Sequence, residues 1–312
     1  MKIAVLGANP AWQKTLAFEK FVPGRVNRAN KLTEFASGKG INFCRASQIC
    51  GVADPVLLQF TGGENGRRLN AMLDSIGIAH NSVMTETPTR CCTTILSEHD
   101  QSTTECIEPS FAVSDKEISE LISYAEKVIP ECDISAVCGS LPGKTTLDVY
   151  AKFAGISHAN SVPMLVDSVN GLDFMFDTKC SIHLKINKDE LLQITGVQNV
   201  SDALKKLFSK HSNLVSAAIT DGADKAFASD GKTLFSYTLP ALKNIVSTLG
   251  CGDTASAVHA SFLAKGLPVE QAFLKALAAA SANCLTPICG EYSPAAAGDI
   301  EKQILSTTLC PL

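Results

Sequence analysis

The chain has 312 residues, of which 46% are hydrophobic and 19% are charged. A chain of this length and composition can bury a large core without disulfides or metals, and it is not globally disordered. Its formal net charge of −4, from 27 Lys and Arg against 31 Asp and Glu, gives no compositional support for binding nucleic acid phosphates.

Twelve cysteines are spread along the chain, and no two of them have C-x-x-C spacing. This spacing argues against a zinc site or a thioredoxin-type motif. Many of the cysteines lie in apolar runs, where a thiol packs as a small hydrophobe. The short apolar run at the N-terminus predicts a first strand rather than a signal peptide, and no stretch has the ~20 apolar residues of a membrane span. We therefore expect reduced, buried thiols and a cytoplasmic location.

Strands and helices alternate along the chain, which predicts an α/β fold with a mostly parallel central sheet flanked by helices. Short apolar runs bounded by turn residues predict strands that are buried on both faces. These runs span 3–6, 56–60, 134–138, 164–166, 182–186 and 215–220. A capping box formed by Ser114 and Glu117 predicts a helix start. Further helices are expected over 201–211, 253–265 and about 270–285.

Two segments interrupt this alternation, at about 11–35 and 88–108. The first is polar and irregular, whereas the second has the pattern of a hairpin with a polar turn over 97–102. Both segments are expected to form a small secondary sheet attached to the α/β body. Such a sheet has two faces, so it is expected to cover a ligand cleft or another subunit. No repeat or linker divides the rest, so residues 1–312 are expected to form one domain.

The strongest chemical signal is the Gly-Cys-Gly-Asp sequence at 250–253, at the start of a predicted helix. Gly250 and Gly252 allow the backbone to approach a ligand closely. The unpaired N–H groups of a first helical turn attract phosphate, which predicts an anion hole at Gly250, Cys251 and Gly252. Asp253 is either a helix cap or a general base beside a phosphoryl group, and this motif alone leaves both readings open.

Four other motifs lie at predicted strand ends or helix starts. Because open α/β sheets bind ligands at the carboxyl ends of their strands, we expect these motifs to meet at one edge. They are Gly38-Lys39-Gly-Ile-Asn42, Gly139-Ser140-Leu-Pro142, Lys185-Ile-Asn187-Lys-Asp-Glu190 and Thr220-Asp-Gly222.

In this order, the motifs resemble those of the PfkB (ribokinase-like) carbohydrate kinase family, and the resemblance extends from Asn9 to about Asn283. Several stretches are most similar to its hexose-phosphate branch of 1-phosphofructokinases, tagatose-6-phosphate kinases and minor-type 6-phosphofructokinases. These stretches are Asn9-Pro-Ala, Val26-Asn-Arg28, Gly38-Lys-Gly-Ile-Asn42 and Pro88-Thr-Arg90. The resemblance implies a ribokinase-like kinase that depends on ATP and Mg²⁺. It also implies a β-sheet lid, often shared across a homodimer, and it leaves a requirement for a monovalent cation open.

The resemblance also implies roles for individual residues. Asp253 corresponds to the general base, and the backbone of residues 250–252 corresponds to the anion hole. Glu190 is expected to order water molecules on Mg²⁺. The expected sugar-phosphate residues are Gln13, Gly38, Lys39, Asn42, Arg90 and Ser140. The expected nucleotide residues are Lys185, Asn187, Thr220, Gly222 and Asn283.

One position departs from the family pattern. Gln13 stands where these kinases usually have an Asp that accepts hydrogen bonds from sugar hydroxyls, and an amide lacks that charge. This substitution leaves the identity of the sugar open. Two alternatives therefore remain beside a hexose-phosphate kinase: a kinase of an unphosphorylated sugar or nucleoside, and an inactive sugar- or nucleotide-binding regulatory protein. Lys39 and Arg90 oppose the first alternative, and the intact Asp253 and Glu190 oppose the second.

Overall fold

A computed structural model describes residues 1–311, which form fourteen β-strands and ten α-helices. The strands are β1 (Lys2–Leu6), β2 (Ala11–Phe18), β3 (Lys31–Ser37), β4 (Asp54–Gly62), β5 (Ala79–Thr85), β6 (Cys91–Ser97), β7 (Ser102–Ile107), β8 (Ile134–Cys138), β9 (Met164–Asp167), β10 (Ile182–Asn187), β11 (Leu214–Asp221), β12 (Lys225–Ser229), β13 (Thr233–Thr238) and β14 (Leu305–Pro311). The helices are α1 (Lys39–Cys50), α2 (Gly63–Ser75), α3 (Asp115–Val128), α4 (Asp148–Ala159), α5 (Leu172–Phe176), α6 (Lys188–Thr195), α7 (Val200–Lys210), α8 (Cys251–Ala264), α9 (Val269–Asn283) and α10 (Pro294–Glu301).

Ten strands form a large sheet in the order β14-β13-β12-β11-β10-β9-β8-β1-β4-β5. The seven strands from β11 to β5 pair in parallel, and β12, β13 and β14 extend the sheet antiparallel. All six predicted strands are present, as β1, β4, β8, β9, β10 and β11. The expected α/β fold with a mostly parallel sheet is therefore confirmed.

The sheet separates two layers of buried side chains. One layer includes residues of α1, α8 and α9, and the other includes residues of α3, α4 and α7. The capping box predicted at Ser114 is present with both of its hydrogen bonds and begins α3. The eleven cysteines before residue 310 are free thiols. Within residues 1–311, no helix is long and apolar enough to cross a membrane.

The remaining four strands form the predicted small sheet, in the order β3-β2-β6-β7. The hairpin of β6 and β7 matches the expected one, with its turn at residues 98–101. The segment 11–35 is less irregular than expected, because most of it forms β2 and β3. These strands lack a clear alternation of buried and exposed residues, since burial changes along their length, and β3 is exposed where it begins and buried where it ends. That is why their sequence carried no strand signal.

Candidate active site

The carboxyl edge of the parallel strands lies beside the N-termini of α1 and α8, which pack against each other. Gly250 is the N-cap residue of α8 and has a φ of 79°, a conformation that favours glycine. A Cβ atom on Gly250 would lie 2.6 Å from Cβ of Cys289, so no larger residue fits there. The predicted anion hole is thus formed by a loop and helix start of the kind that binds phosphate.

Asp253 lies in the first turn of α8 and is 8% exposed. Its Oδ2 accepts a hydrogen bond of 2.8 Å from Nδ2 of Asn42 in α1. Burial and the nearby carboxylate of Asp167 raise the pKa of Asp253 to about 6, and hydrogen bonding and two lysines limit the rise. A carboxylate with a pKa close to neutrality is well suited to accept a proton and release it again.

Asp167, at the end of β9, contacts α1, α8 and β10 through its carboxylate. Its buried carboxylate accepts hydrogen bonds from Nζ of Lys39 at 3.2 Å and from Oγ of Ser256 at 2.6 Å. Nζ of Lys185 lies 3.6 Å from Oδ2, the oxygen that also accepts from Ser256. Burial acts to raise the pKa of Asp167, but the two ammonium groups outweigh it and the pKa lies below its usual value. The carboxylate is therefore ionised and compensated by charge.

Lys185 lies deeper than the nucleotide-binding role implied by the resemblance suggests. The residue is 4% exposed, and its Nζ donates a hydrogen bond of 3.1 Å to the carbonyl oxygen of Gly252. Lys185 thus holds the backbone of Gly252, which belongs to the predicted anion hole. Lys39, by contrast, has a partly exposed side chain in the first turn of α1. Asp167 raises the pKa of Lys39 above its usual value, and Asp253 and Glu190 add to this effect.

A cavity of about 150 Å³ adjoins Lys39 on the side of the small sheet. Its lining residues are Gly7, Asn9, Lys39, Gly40, Arg90, Cys138, Gly139 and Ser140. Nη2 of Arg90 donates to the carbonyl of Asn9 at 3.2 Å, and Nδ2 of Asn9 donates to Oγ of Ser140 at 3.2 Å. Three of the expected sugar-phosphate residues therefore meet around one polar cavity that contains two cations.

Two other expected sugar residues have different surroundings. Gly38 is the N-cap of α1, and its φ of 119° lets the chain pass close to Pro10. Gln13 is buried in β2, where its Nε2 donates to Oγ1 of Thr94 at 2.8 Å and to the carbonyl of Lys14 at 3.2 Å. Gln13 is not among the residues of the described chain that line the 150 Å³ cavity. Its amide group is directed into the small sheet.

The expected nucleotide residues fall into two groups. Asn187 and Glu190 form a capping box at the start of α6, with hydrogen bonds of 2.8 and 2.9 Å in the two directions. Thr220 lies opposite Asn187 in the register of β10 and β11, and Gly222 follows in an exposed turn. Asn283 is separate from this group. It is buried at the end of α9, and its Nδ2 donates to carbonyls of the loop that follows, including that of Glu291 at 2.6 Å.

Any contribution of Cys251 to the predicted anion hole is expected to come from its backbone N–H group, because its thiol is not reactive. Its Sγ lies 3.1 Å from Sγ of Cys284, with which it shares a hydrogen bond. This hydrogen bond and burial raise the pKa of the Cys251 thiol far above its usual value. A thiol that stays protonated is a poor nucleophile.

The sequence patterns did not single out several residues of this network. Asp167, Ser256 and Arg45 lie outside the motifs, and Asn9 lies in one of them without a predicted role. Only Asp167 had a usable signal, because it is a carboxylate directly after the predicted strand 164–166. Ser256 and Arg45 lie within helices and are recognisable only by their contacts.

A family model described as pfkB family carbohydrate kinase matches residues 2–296. Tagatose-6-phosphate kinase of Staphylococcus epidermidis is 26% identical over 308 residues, which cover 97% of this chain and 98% of that relative. The structure of phosphofructokinase-2 from Escherichia coli in complex with potassium has a TM-score of 0.87 at 19% identity, and covers 97% of this chain and 98% of its own. The same enzyme in complex with fructose-6-phosphate has a TM-score of 0.85 at 20% identity, with the same coverage. At these identities the structural likeness shows the fold.

The ion-pair network at Asp167 leads to a prediction about stability. We expect Asp167→Leu to lower the free energy of unfolding by about 3–5 kcal/mol, because the substitution leaves the buried ammonium group of Lys185 without its partner. The matched control is Asp221→Leu, which breaks the more exposed 2.9 Å pair with Lys188 and should cost at most about 1 kcal/mol. Urea unfolding of both variants measures the difference. Equal losses would contradict a central role for Asp167.

Proposed function

The chain belongs to the pfkB family of carbohydrate kinases, and we propose that it transfers the γ-phosphoryl group of ATP to a hydroxyl of a hexose phosphate. Candidate acceptors are fructose-1-phosphate, fructose-6-phosphate and tagatose-6-phosphate. One observation carries the proposal: the buried carboxylate of Asp253 directly follows the loop of the anion hole and lies in the electric field of Lys39. The name of the Staphylococcus epidermidis relative, tagatose-6-phosphate kinase, supports the same substrate class.

In the proposed reaction, the oxygen of the acceptor hydroxyl forms a bond to the γ-phosphorus of ATP. Asp253 accepts the proton of that hydroxyl. The bond between that phosphorus and the bridging oxygen breaks, and ADP leaves. The N–H groups of residues 250–252 and the ammonium group of Lys39 stabilise negative charge on the transferred group. Positioning and charge neutralisation supply most of the catalysis in this class of reaction.

The residues present fit a role for Mg²⁺ through water. One oxygen of Glu190 accepts the hydrogen bond from the backbone of Asn187, which fixes the carboxylate at the sheet edge. Mg²⁺ keeps several water ligands and needs only one or two protein carboxylates besides phosphates. When bound, Mg²⁺ would neutralise charge on the ATP phosphates. Because the Escherichia coli structure was obtained with potassium, a monovalent cation is a second candidate cofactor, to be tested by comparing potassium and choline salts.

The cations beside the acceptor cavity favour a phosphorylated substrate over a free sugar or nucleoside, since a neutral sugar gives Lys39 and Arg90 nothing to pair with. An assay of ADP release over a panel of sugars and sugar phosphates tests this choice. Activity on any phosphorylated hexose would also exclude an inactive binding protein. The amide of Gln13 donates a hydrogen bond to Thr94 within the small sheet. We therefore expect residues other than Gln13 to discriminate among the hexose phosphates.

The first prediction from this proposal concerns Asp253. We expect Asp253→Asn to lower kcat about 10²–10⁴-fold while ATP binding is largely retained, because an amide cannot accept the proton. In the wild type, kcat should fall as the pH drops below about 6, since the raised pKa of Asp253 sets the acid limb of the profile. Steady-state kinetics and ATP titration measure both effects. A variant with a wild-type kcat would remove Asp253 from the base role.

The second prediction concerns Arg90. We expect Arg90→Ala to raise the KM for a hexose phosphate by about tenfold or more and to change the KM for ATP much less. The physical reason is the loss of a charge-assisted contact, worth roughly 1.5–3 kcal/mol. The matched control is Arg67→Ala, which removes an exposed arginine paired with Glu64 on α2. Equal effects on the two KM values would show that Arg90 does not bind the acceptor phosphate.

We further propose that the small sheet is a lid over the acceptor and that it closes a homodimer. In support, its edge strand β3 carries an exposed Leu32, at 53%, and Val26 before it is 83% exposed. An exposed apolar sheet edge favours pairing with another chain. Escherichia coli phosphofructokinase-2 also has a tetrameric inhibited form.

We expect Leu32→Glu to weaken this dimer, because it places a charge at the apolar edge. The control is Leu305→Glu, at a residue that is 68% exposed on β14 of the large sheet. Light scattering at micromolar concentration measures the molecular mass of the wild type and both variants. A monomeric wild type with full activity would refute the proposed dimer.

A further inference from the structure

Arg45 is a buried cation behind the candidate site. It lies in the middle of α1 and is 7% exposed, and within residues 1–311 no carboxylate lies within 4.0 Å of its guanidinium group. Its partners are uncharged: it donates to the carbonyl of Cys289 at 2.7 Å, to the carbonyl of Ala36 at 3.0 Å and to Oδ1 of Asn42 at 3.5 Å. Burying a charge in this way is costly, and an apolar side chain could fill the same volume.

The three acceptors lie on three different segments, and each segment leads to the site. Asn42 donates to Asp253 through the other end of its amide. Cys289 belongs to the loop after α9, and its Cβ lies 2.6 Å from the place that a Cβ on Gly250 would occupy. Ala36 lies near the end of β3, two residues before the N-cap of α1. A single guanidinium group thus connects the small sheet, the anion hole and the proposed base.

We propose that Arg45 is a positioning residue for phosphoryl transfer, which acts through Asn42 on Asp253 and through Cys289 on the anion hole. The inference rests on the proposed function, in which Asp253 is the base. Oδ1 of Asn42 accepts hydrogen bonds from Arg45 and from Oγ of Ser37, at 3.3 Å. These donors fix which end of the amide faces Asp253. Without the cation, Oδ1 of Asn42 keeps only the 3.3 Å contact with Ser37. The amide is then held less firmly, and its hydrogen bond to Asp253 is expected to lengthen or tilt.

Loss of this orientation has a consequence for the ionisation of Asp253. The hydrogen bond from Asn42 favours the charged carboxylate, so its loss raises the pKa of Asp253. The other groups that act on the pKa of Asp253 belong to three elements, and none of them is a hydrogen-bond partner of Arg45. They are Asp167 on β9, Lys39 on α1 and Lys185 on β10. Burial lowers the pKa of Arg45, and Glu291, Cys289 and Cys44 oppose this effect.

The test compares Arg45→Met, which keeps the length of the side chain, with the conservative Arg45→Lys. We expect Arg45→Met to lower kcat about 10–100-fold, because small misplacements of reacting groups have effects of this size. We also expect the acid limb of the kcat profile to move upward from about pH 6, by roughly half a unit or more. The KM values for ATP and the hexose phosphate should change less than about threefold. Arg45→Lys should recover part of both losses.

The matched control is Arg68→Met on α2, which removes a half-exposed guanidinium that stacks on Trp12 and pairs with Glu34. It should leave kcat and the acid limb unchanged. Asn42→Leu should reproduce the shift of the acid limb, and the Asn42→Leu/Arg45→Met double variant should shift it no further. If Arg45→Met does not fold, Arg45→Lys and Asn42→Leu decide the question through the same pH profiles.

The inference is overturned if Arg45→Met, or Arg45→Lys in its place, lowers only the melting temperature and keeps kcat and the acid limb of the control. Asp253→Asn is measured in the same assay, which separates this failure from a failure of the proposed function. A wild-type kcat in Asp253→Asn rejects the base and this inference together. A low kcat in Asp253→Asn with a normal profile in the Arg45 variants rejects this inference alone.

Discussion

The ionised carboxylate of Asp167, buried between two lysines, is the interaction on which the candidate site depends. Lys39 on one side lines the cavity proposed for the acceptor, and Lys185 on the other donates a hydrogen bond to the carbonyl of Gly252 in the predicted anion hole. The ammonium group of Lys185 could not be buried at this depth without a compensating charge. The carboxylate thus sets the relative positions of α1, β10 and α8, which carry the groups proposed to bind sugar, nucleotide and transferred phosphate.

The same arrangement accounts for the protonation behaviour of Asp253. Its burial and the nearby negative charge of Asp167 disfavour a second carboxylate, while the lysines and Asn42 favour it, and the pKa settles at about 6. If burial and Asp167 raised the pKa of Asp253 less, the carboxylate would be a poor proton acceptor. If they raised it more, Asp253 would stay protonated at neutral pH. The proposed role of Arg45 follows from this balance, because the contribution of Asn42 depends on which end of its amide faces Asp253.

In the proposed acceptor site, the groups that suit the phosphate are separate from the position where the family usually binds the sugar hydroxyls. The cations of Lys39 and Arg90 lie at the cavity and suit a phosphate group, whichever hexose carries it. Gln13, where the family usually has an acidic residue, instead bonds to Thr94 within the sheet. Recognition of the phosphate and recognition of the sugar hydroxyls are therefore expected to vary independently.

Many of the secondary-structure elements and all of the motifs can be predicted from the amino-acid sequence, because both depend on neighbours along the chain. Apolar runs predicted six of the seven parallel strands, all except β5, and the order of the motifs indicated the family. Only the tertiary structure decided which side chains meet. Asn42 and Asp253 are 211 residues apart, and Lys39 and Asp167 are 128 residues apart, yet both pairs are hydrogen-bonded. No local pattern encodes such pairs, since packing of the helices on the sheet brings them together. For the same reason, burial of Asn283 and Lys185 and the direction of Gln13 could be read only from the fold.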